Sequence, residues 1–366
     1  MALTTVRPEG MGFNTGRRNM VINGAMQVAQ RGTSSTGIGA SSGYFVADRF
    51  LFGRENSGQA ARMTLSQESV SSSDTPFTTD GHSKMLKVDV TTASGGISAG
   101  HAHYIMQRLE GQNVFHLAYG SSSAKSVTLS FWMKTDTKTG TMGVSLFHGG
   151  ARTNVQEISL TTSWQKFELT YSGDTGDTFA NDNSNEFSVA WALSAGSNFQ
   201  VTPNQWADGF DLSTSNQVDF TDSTSNNIYL TGVQLELGEN ASDFEHRSYG
   251  EELTLCQRYY QHSGFNGGQT YGGGGIAMVA FNASEAAGQV AYATTMRAAP
   301  TVRIKDAAGN IGGIHRAGTG DVTSGVTVGW TGGTYNNQLG FGQLGKSSAW
   351  SSGDVLVGGW EADAEL

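Results

Sequence analysis

Apolar residues recur at every second position in short runs between Met20 and about Leu237, the period that a strand with one buried face imposes. Leu86, Val88 and Val90 alternate with Lys87 and Asp89, and Val127, Leu129, Phe131 and Met133 alternate with Thr128, Ser130 and Lys134. Phe167, Leu169 and Tyr171 make a third row, and Phe187, Val189, Trp191 and Leu193 a fourth. Over 228–237 the inner parity changes from Ile228 and Leu230 to Val233, Leu235 and Leu237. Gly232 at the change predicts a β-bulge. Trp132, Trp164 and Trp191 fall within these strand patterns and are expected in the core. Gly, Asn, Asp and Ser clusters separate the runs and no helical segments alternate with them. The pattern therefore predicts an all-β chain whose main domain, 20–247, is an antiparallel jelly-roll sandwich.

After that domain, Ser248-Tyr-Gly-Glu251 has the form of a capping box, and Leu255 and Tyr259 are four residues apart, so 252–260 is expected to be a short helix within a linker spanning 248–263. Beyond Gly264 the chain becomes glycine-rich, with Gly272 to Gly275 in a row. Brief strands at 279–281, 301–305, 326–330 and 354–360 predict a smaller β domain over 264–366. Residues 1–19 are polar, carry Pro8 and three glycines and show no period, which predicts an extended N-terminal arm suited to docking on a partner. The absence of a fixed repeat argues against a β-helix, a solenoid or a propeller.

Composition sharpens the picture. Glycine supplies 50 of 366 residues and charged residues only 15%, against about 7% and about 25% in an average protein. Strands and tight turns suit such a chain better than helices do. With 37% hydrophobic and 10% aromatic residues it can still build a core that offsets ordering entropy. A net charge of −10, with Arg17-Arg18 the densest basic spot, argues against nucleic-acid or anionic-membrane partners. Cys256 is the only cysteine, so no intrachain disulfide can form and a reducing cytoplasm suffices for maturation. Residues 1–21 lack the apolar stretch of a signal peptide and no 18-residue apolar run occurs, so the chain is expected to be soluble and not to insert in a membrane.

Several segments could carry chemistry. Gly96-Ile-Ser98-Ala-Gly100 matches the serine-hydrolase elbow, but it runs into what reads as a strand rather than a helix. Gly340 to Ser347 fits both the dinucleotide fingerprint and the phosphate-binding loop, again without the helix that would aim amides at phosphate. His101 and His103 would share a strand face and could bind a metal, although such histidines more often pack or face solvent. Asp174, Asp177, Asn181, Asp182, Asn183 and Glu186 are hard ligands without EF-hand order and read as a solvated loop. The expectation is no metal, no other cofactor and no catalytic residue.

Sugar recognition asks for aromatic faces beside amides, hydroxyls and carboxylates. The loop 196–211 supplies Phe199, Trp206 and Phe210 with Asn204, Gln205 and Asp208, and these six are the candidate ligand-binding residues. The competing reading has Trp206 or Phe210 folding inward to plug the sandwich end or packing on a neighbouring subunit.

The stretches NMVINGAMQVAQRGTS, YFVADRF, YIMQRLEGQN, SVTLSFWMK, LTGVQLELG, FEHRSYGEELTLCQRYYQ, MRAAPTV and the terminal ADAEL, in that order, resemble tail-fibre-like and structural proteins of tailed phages and prophages. The first domain also resembles the jelly roll of carbohydrate-binding modules. It departs from them at the calcium-bridging positions, where Ala25-Met26 follows the Asn-Gly and Thr231-Gly232 stands in place of paired aspartates. The resemblance implies a virion component assembled in the host cytoplasm: a receptor-facing jelly roll, a C-terminal knob, a homotrimer, and an arm tethering it to other tail proteins. Its expected role is non-catalytic attachment to host surface polysaccharide. The alternatives are a purely structural virion part, such as a fibre shaft, adaptor or capsid decoration, and a polysaccharide depolymerase, which would need a fixed carboxylate pair.

Overall fold

The computed structural model describes residues 18–366 apart from 57, 150–151, 264–274, 307, 323, 330–335 and 347–349. The expected arm up to residue 17, the glycines 272–274, Trp330 and Ser347 lie outside the described residues. The chain forms two compact units, one of 1–27 with 33–247 and the other of 28–32 with 248–366.

In the first unit the strands are β1 Ser34–Ile38, β2 Gly43–Tyr44, β3 Leu51–Glu55, β4 Arg62–Ser69, β5 Lys84–Thr92, β6 Ala102–Glu110 and β7 Val127–Thr135. They continue with β8 Gly140–His148, β9 Arg152–Leu160, β10 Gln165–Tyr171, β11 Asn185–Ala195, β12 Trp206–Asp208 and β13 Asn227–Leu237. Sheet one runs β1-β4-β5-β13-β7-β10 and sheet two β12-β9-β8-β11-β6-β3-β2, with antiparallel pairing throughout. From β5 onward most connections cross between the sheets, β8 to β9 and β11 to β12 excepted, and this wraps them into a jelly roll.

The alternating rows face each other across the sandwich. Val127, Leu129, Phe131 and Met133 of β7 meet Phe187, Val189, Trp191 and Leu193 of β11 in one core, and the Phe131 and Trp191 rings stand edge to face with centroids 5.5 Å apart. Tyr171 is fully buried and donates its hydroxyl to the Val144 carbonyl at 2.9 Å. The bulge lies where the parity changes: β13 slips register against β7 between Thr231 and Gln234. Gly232 takes φ +63°, and a Cβ there would come within 2.5 Å of the His82 ring. Trp164 departs from expectation. It lies in the turn before β10, half-buried, with its ring 6.2 Å from that of Tyr229.

Residues 19–26 form a buried strap between β13 and β6. Asn19 Nδ2 donates to Val233 O at 3.0 Å, while its Oδ1 accepts from the amides of Val21 at 3.0 Å and Leu235 at 3.1 Å. Gln107 clamps the strap from β6, accepting from Ile22 N at 2.7 Å and donating to Ile22 O at 2.8 Å. Where the strap passes β13, a side chain on Gly24 would strike Val233 O at 2.0 Å, so only glycine fits.

The second unit opens on a helix, Tyr249–Gln257, whose capping box is complete: Ser248 Oγ accepts from Glu251 N at 3.3 Å and Ser248 N donates to Glu251 Oε2 at 2.9 Å. The helix stops three residues short of the expected Tyr260, because Tyr260 already belongs to strand β14, Tyr260–His262. Strands β15 Ile276–Ala280, β16 Glu285–Ala291, β17 Thr301–Lys305, β18 Ile314–Arg316 and β19 Gly320–Val322 follow. The last four are β20 Thr327–Val328, β21 Asn336–Asn337, β22 Gly340–Gly345 and β23 Val355–Asp363. β23 is central, flanked by β15 and β18 along one half and by β14 and β17 along the other. Met278, Phe341, Leu344, Leu356 and Trp360 make its core.

Residues 28–32 belong to this second unit. The Arg31 guanidinium stacks on the Tyr260 ring 3.6 Å from its centroid and pairs with Asp363 at 3.2 Å and Glu365 at 3.3 Å, with only 11% of its side chain exposed. Gln30 Nε2 donates to Tyr260 O at 2.8 Å. Stacking and two partly desolvated ion pairs together are worth about 1–2 kcal/mol. Arg31→Ala in the full chain should accordingly speed amide exchange at Tyr260 to His262 roughly tenfold, and unchanged exchange there would show that the clasp carries no stability.

Candidate functional site

The connection from β11 to β13 is held over the outward face of sheet two. Gly196 N donates to His101 O at 2.8 Å, Asn198 N to Ala99 O at 2.9 Å, and Val201 N to Ser213 O at 3.0 Å. Asn204, at φ +65°, turns the chain and donates its amide to Val155 O at 2.8 Å.

The six candidate residues go to four places. Phe199 and Phe210 press onto sheet two, with Phe210 stacked on Phe147 at 4.7 Å, edge-on to Tyr104 at 5.9 Å and 6.4 Å from Phe199. Together with Leu212 they cover Tyr104, Met106, Ala190 and Ala192. Trp206 turns the other way and meets Tyr119 at 5.8 Å and His148 at 6.3 Å, and its indole N–H donates to Ser172 O at 2.7 Å. Asn204 and Gln205 are exposed at the turn. Asp208 is 89% exposed and holds Arg152 Nη1 at 2.6 Å.

That contact is the outer end of an ion chain. Arg152 grips Asp174 through Nε at 2.5 Å and Nη2 at 2.8 Å, and Asp174 Oδ2 lies 2.9 Å from Nδ1 of the fully buried His148. Burial pushes the Asp174 carboxyl up, but hydrogen bonds from Arg152 and His148 outweigh it and hold the group below the usual carboxylate range. Asp174 thus serves the fold from within and is not part of a solvated acidic loop. Asp211, half-buried in the same connection, is raised by burial.

The other segments resolve as architecture. Ser98 sits exposed in a loop before β6, and no helix follows it. His103 is fully buried with Nδ1 3.3 Å from Ser194 Oγ, and burial lowers it to about 4. The glycine-rich run from Gly340 is strand β22, paired with β16. Among the described residues no group of three or more His, Cys, Asp or Glu side chains is placed to hold a metal.

What the loop does create is a groove of about 560 Å³ lined by Ser197, Gln200 to Pro203, Thr214 to Asn216, and Glu157. Glu157 projects from the outward face of β9. Its Oε1 accepts from Thr214 Oγ1 and, at 3.0 Å, from Asn216 Nδ2. Gln200 spends its N–H on Ala195 O at 3.0 Å, which leaves its carbonyl oxygen to the groove. Val201 and Pro203 add half-buried apolar surface. The candidate loop thus contributes Ser197 and Gln200 to Pro203, and none of its six candidate residues lines the groove; Glu157 and Asn216, 59 positions apart, are joined by the fold alone.

No family model matches the chain, and no curated protein does. Solved structures are similar to it at a distance. One is a candidate sugar-binding protein from Bacteroides thetaiotaomicron, 11% identical, covering 60% of this chain and 100% of that one with a TM-score of 0.31. A second is the family 11 carbohydrate-binding module of Clostridium thermocellum, seen with a mixed-linked tetrasaccharide: 13% identity, 58% and 98% coverage, TM-score 0.27. The third is the enzymatically active domain of tailspike protein 4 from bacteriophage CBA120, at 11% identity and TM-score 0.30. It aligns with 60% of this chain, which spans only 21% of the tailspike domain.

Proposed function

We propose that this protein is a non-catalytic glycan-binding subunit of a bacteriophage particle, attaching to host surface polysaccharide through the first unit and working as a homo-oligomer, a trimer in the reading that the sequence resemblance implies. The observation that carries the binding role is the groove over β9. Its walls offer carboxylate, amide and hydroxyl groups beside small apolar faces, the chemistry that a sugar's hydroxyls and C–H surface require, with Glu157 on the paired strand β9 and the rest on a connection hydrogen-bonded back to the sheet. Its lining holds one carboxylate, Glu157, whereas glycoside cleavage calls for two. Many weak copies on one particle supply avidity.

Trp206→Ala is a poor probe of this role, since the ring packs against Tyr119 and His148 and its loss would report on folding. Thr202 and Asn216 are exposed on the groove wall. The double variant Thr202→Ala/Asn216→Ala should weaken binding to host cells or an arrayed glycan about tenfold, one to two hydrogen bonds' worth, with an unchanged unfolding midpoint. Packing of the half-buried Phe199 and Phe210 against sheet two favours a second reading, a purely structural virion part. Wild type that is folded and oligomeric by light scattering yet binds neither cells nor glycans would establish that reading instead.

A further inference from the structure

We infer that the groove selects uncharged glycans and rejects acidic ones, a deepening that rests on the binding role proposed above. Glu157 is the only ionisable side chain in the lining, and no Lys, Arg or His faces it there. Both hydrogen bonds it receives within the chain, from Thr214 and Asn216, go to Oε1, and both donors are neutral. Among the described residues Oε2 accepts nothing and no cation lies within ion-pair distance. The groove therefore presents an un-neutralised carboxylate with one oxygen open.

Such an oxygen accepts from sugar hydroxyls, and a charge-assisted bond of this kind is stronger than a neutral one. Two lone pairs suit a pair of neighbouring hydroxyls on one pyranose ring. A uronate, sialate or phosphate placed in the same groove would set a second negative charge within several ångströms of the first without a counter-ion. Like charges that close disfavour binding even in a solvated site, and the chain's net charge of −10 offers no relief. Discrimination thus comes from a repulsive element built into the wall as much as from the attractive one.

The test is an array of matched oligosaccharide pairs, each a hexose chain and its counterpart oxidised at C6 to the uronate, probed with the full-length protein and with Glu157→Gln. Glutamine keeps the Oε1 acceptor for Thr214 and Asn216, removes the charge and turns the open oxygen into an amide donor, so the neutral-to-acidic ratio, not the absolute affinity, is the quantity compared. Wild type should favour the neutral member of each bound pair by roughly tenfold or more, and E157Q should shrink that preference at least severalfold while its unfolding midpoint stays unchanged. Equal or tighter binding of the uronate by wild type, or a neutral-to-acidic ratio untouched by E157Q, overturns the inference while leaving glycan binding intact. Absence of binding to any pair and to host cells overturns the binding role itself, and this inference with it.

Discussion

Replacing Asn19 by alanine should lower the stability of the first unit by at least about 3 kcal/mol, as three buried backbone groups lose their partner at once. The side chain satisfies the carbonyl of Val233 and the amides of Val21 and Leu235, and it does so at 1% exposure, where water cannot substitute. The end of the β5 pairing explains why an amide is needed. β5 pairs with β13 only as far as Leu230, whereas β7 stays in register with Leu235 on the other side, so past the bulge the β5-side edge of β13 is open and Asn19 supplies the missing donor and acceptor there. Its own neighbour Met20 adds a backbone bond to Leu235 O at 2.9 Å, so the strap and the bulge hold one another. Asn240 is exposed, and Asn240→Ala should stay within about 0.5 kcal/mol of wild type. Urea unfolding followed through amide exchange on β11 reads the difference, and an Asn19→Ala protein as stable as wild type would mean that the strap is dispensable.

The strap also marks where local reading of the chain stops. Rows such as Leu129, Phe131 and Met133 became strands facing the core because period two is a local property, decided by residues two apart. The Gly232 bulge was legible for the same reason, since parity on its two sides differs within one segment. Residues 19–26 have no period; their structure is dictated by Gln107 and Val233, far along the chain. Strand β22 was hidden differently: Gly340, Gly342 and Gly345 leave no alternation to see, and pairing with β16 makes the strand.

The aromatic loop shows a signal that was present and went unused. In β6, Tyr104 and Met106 are as apolar as Ile105 between them, and in β11 Ala190 and Ala192 separate Val189, Trp191 and Leu193. Continuous apolar runs of that kind belong to strands covered on both faces. Sheet two consequently needs a cover on its outward side, and Phe199 and Phe210 provide it. Asking what buries the second face of β6 and β11 would have assigned those rings to packing and turned attention to the polar residues the cover leaves at its rim, Gln200, Thr202 and Asn216.

Mild acid should destabilise the first unit chiefly through two buried histidines. His82 is 1% exposed and His103 fully buried. Burial lowers His82 to about 4, helped by the nearby His246 and Lys166 charges and opposed by Asp80. His103 is likewise lowered to about 4, by burial and then by Arg54, His101 and Arg62. Both are therefore neutral in the folded protein at pH 5, whereas the unfolded chain takes up their protons near pH 6.5. The stability they preserve is complete above that value and drains away as pH falls towards 4, by about 1.4 kcal/mol per pH unit for each ring. Between pH 7 and pH 5 the loss should reach about 2 kcal/mol per histidine, ~4 kcal/mol in all. Asp174 acts in a separate window: its lowered carboxyl holds its contribution down to the ordinary carboxylate range and loses it only below. His82→Phe keeps a ring against Phe244, whose centroid lies 4.5 Å away, and removes the titrating group. The variant should lose only about half as much stability as wild type between pH 7 and pH 5. Urea unfolding at the two pH values decides it, read as the difference between them so that any packing cost of phenylalanine cancels. Equal stability of wild type at pH 7 and pH 5 would mean that both rings reach solvent and accept protons in the folded state.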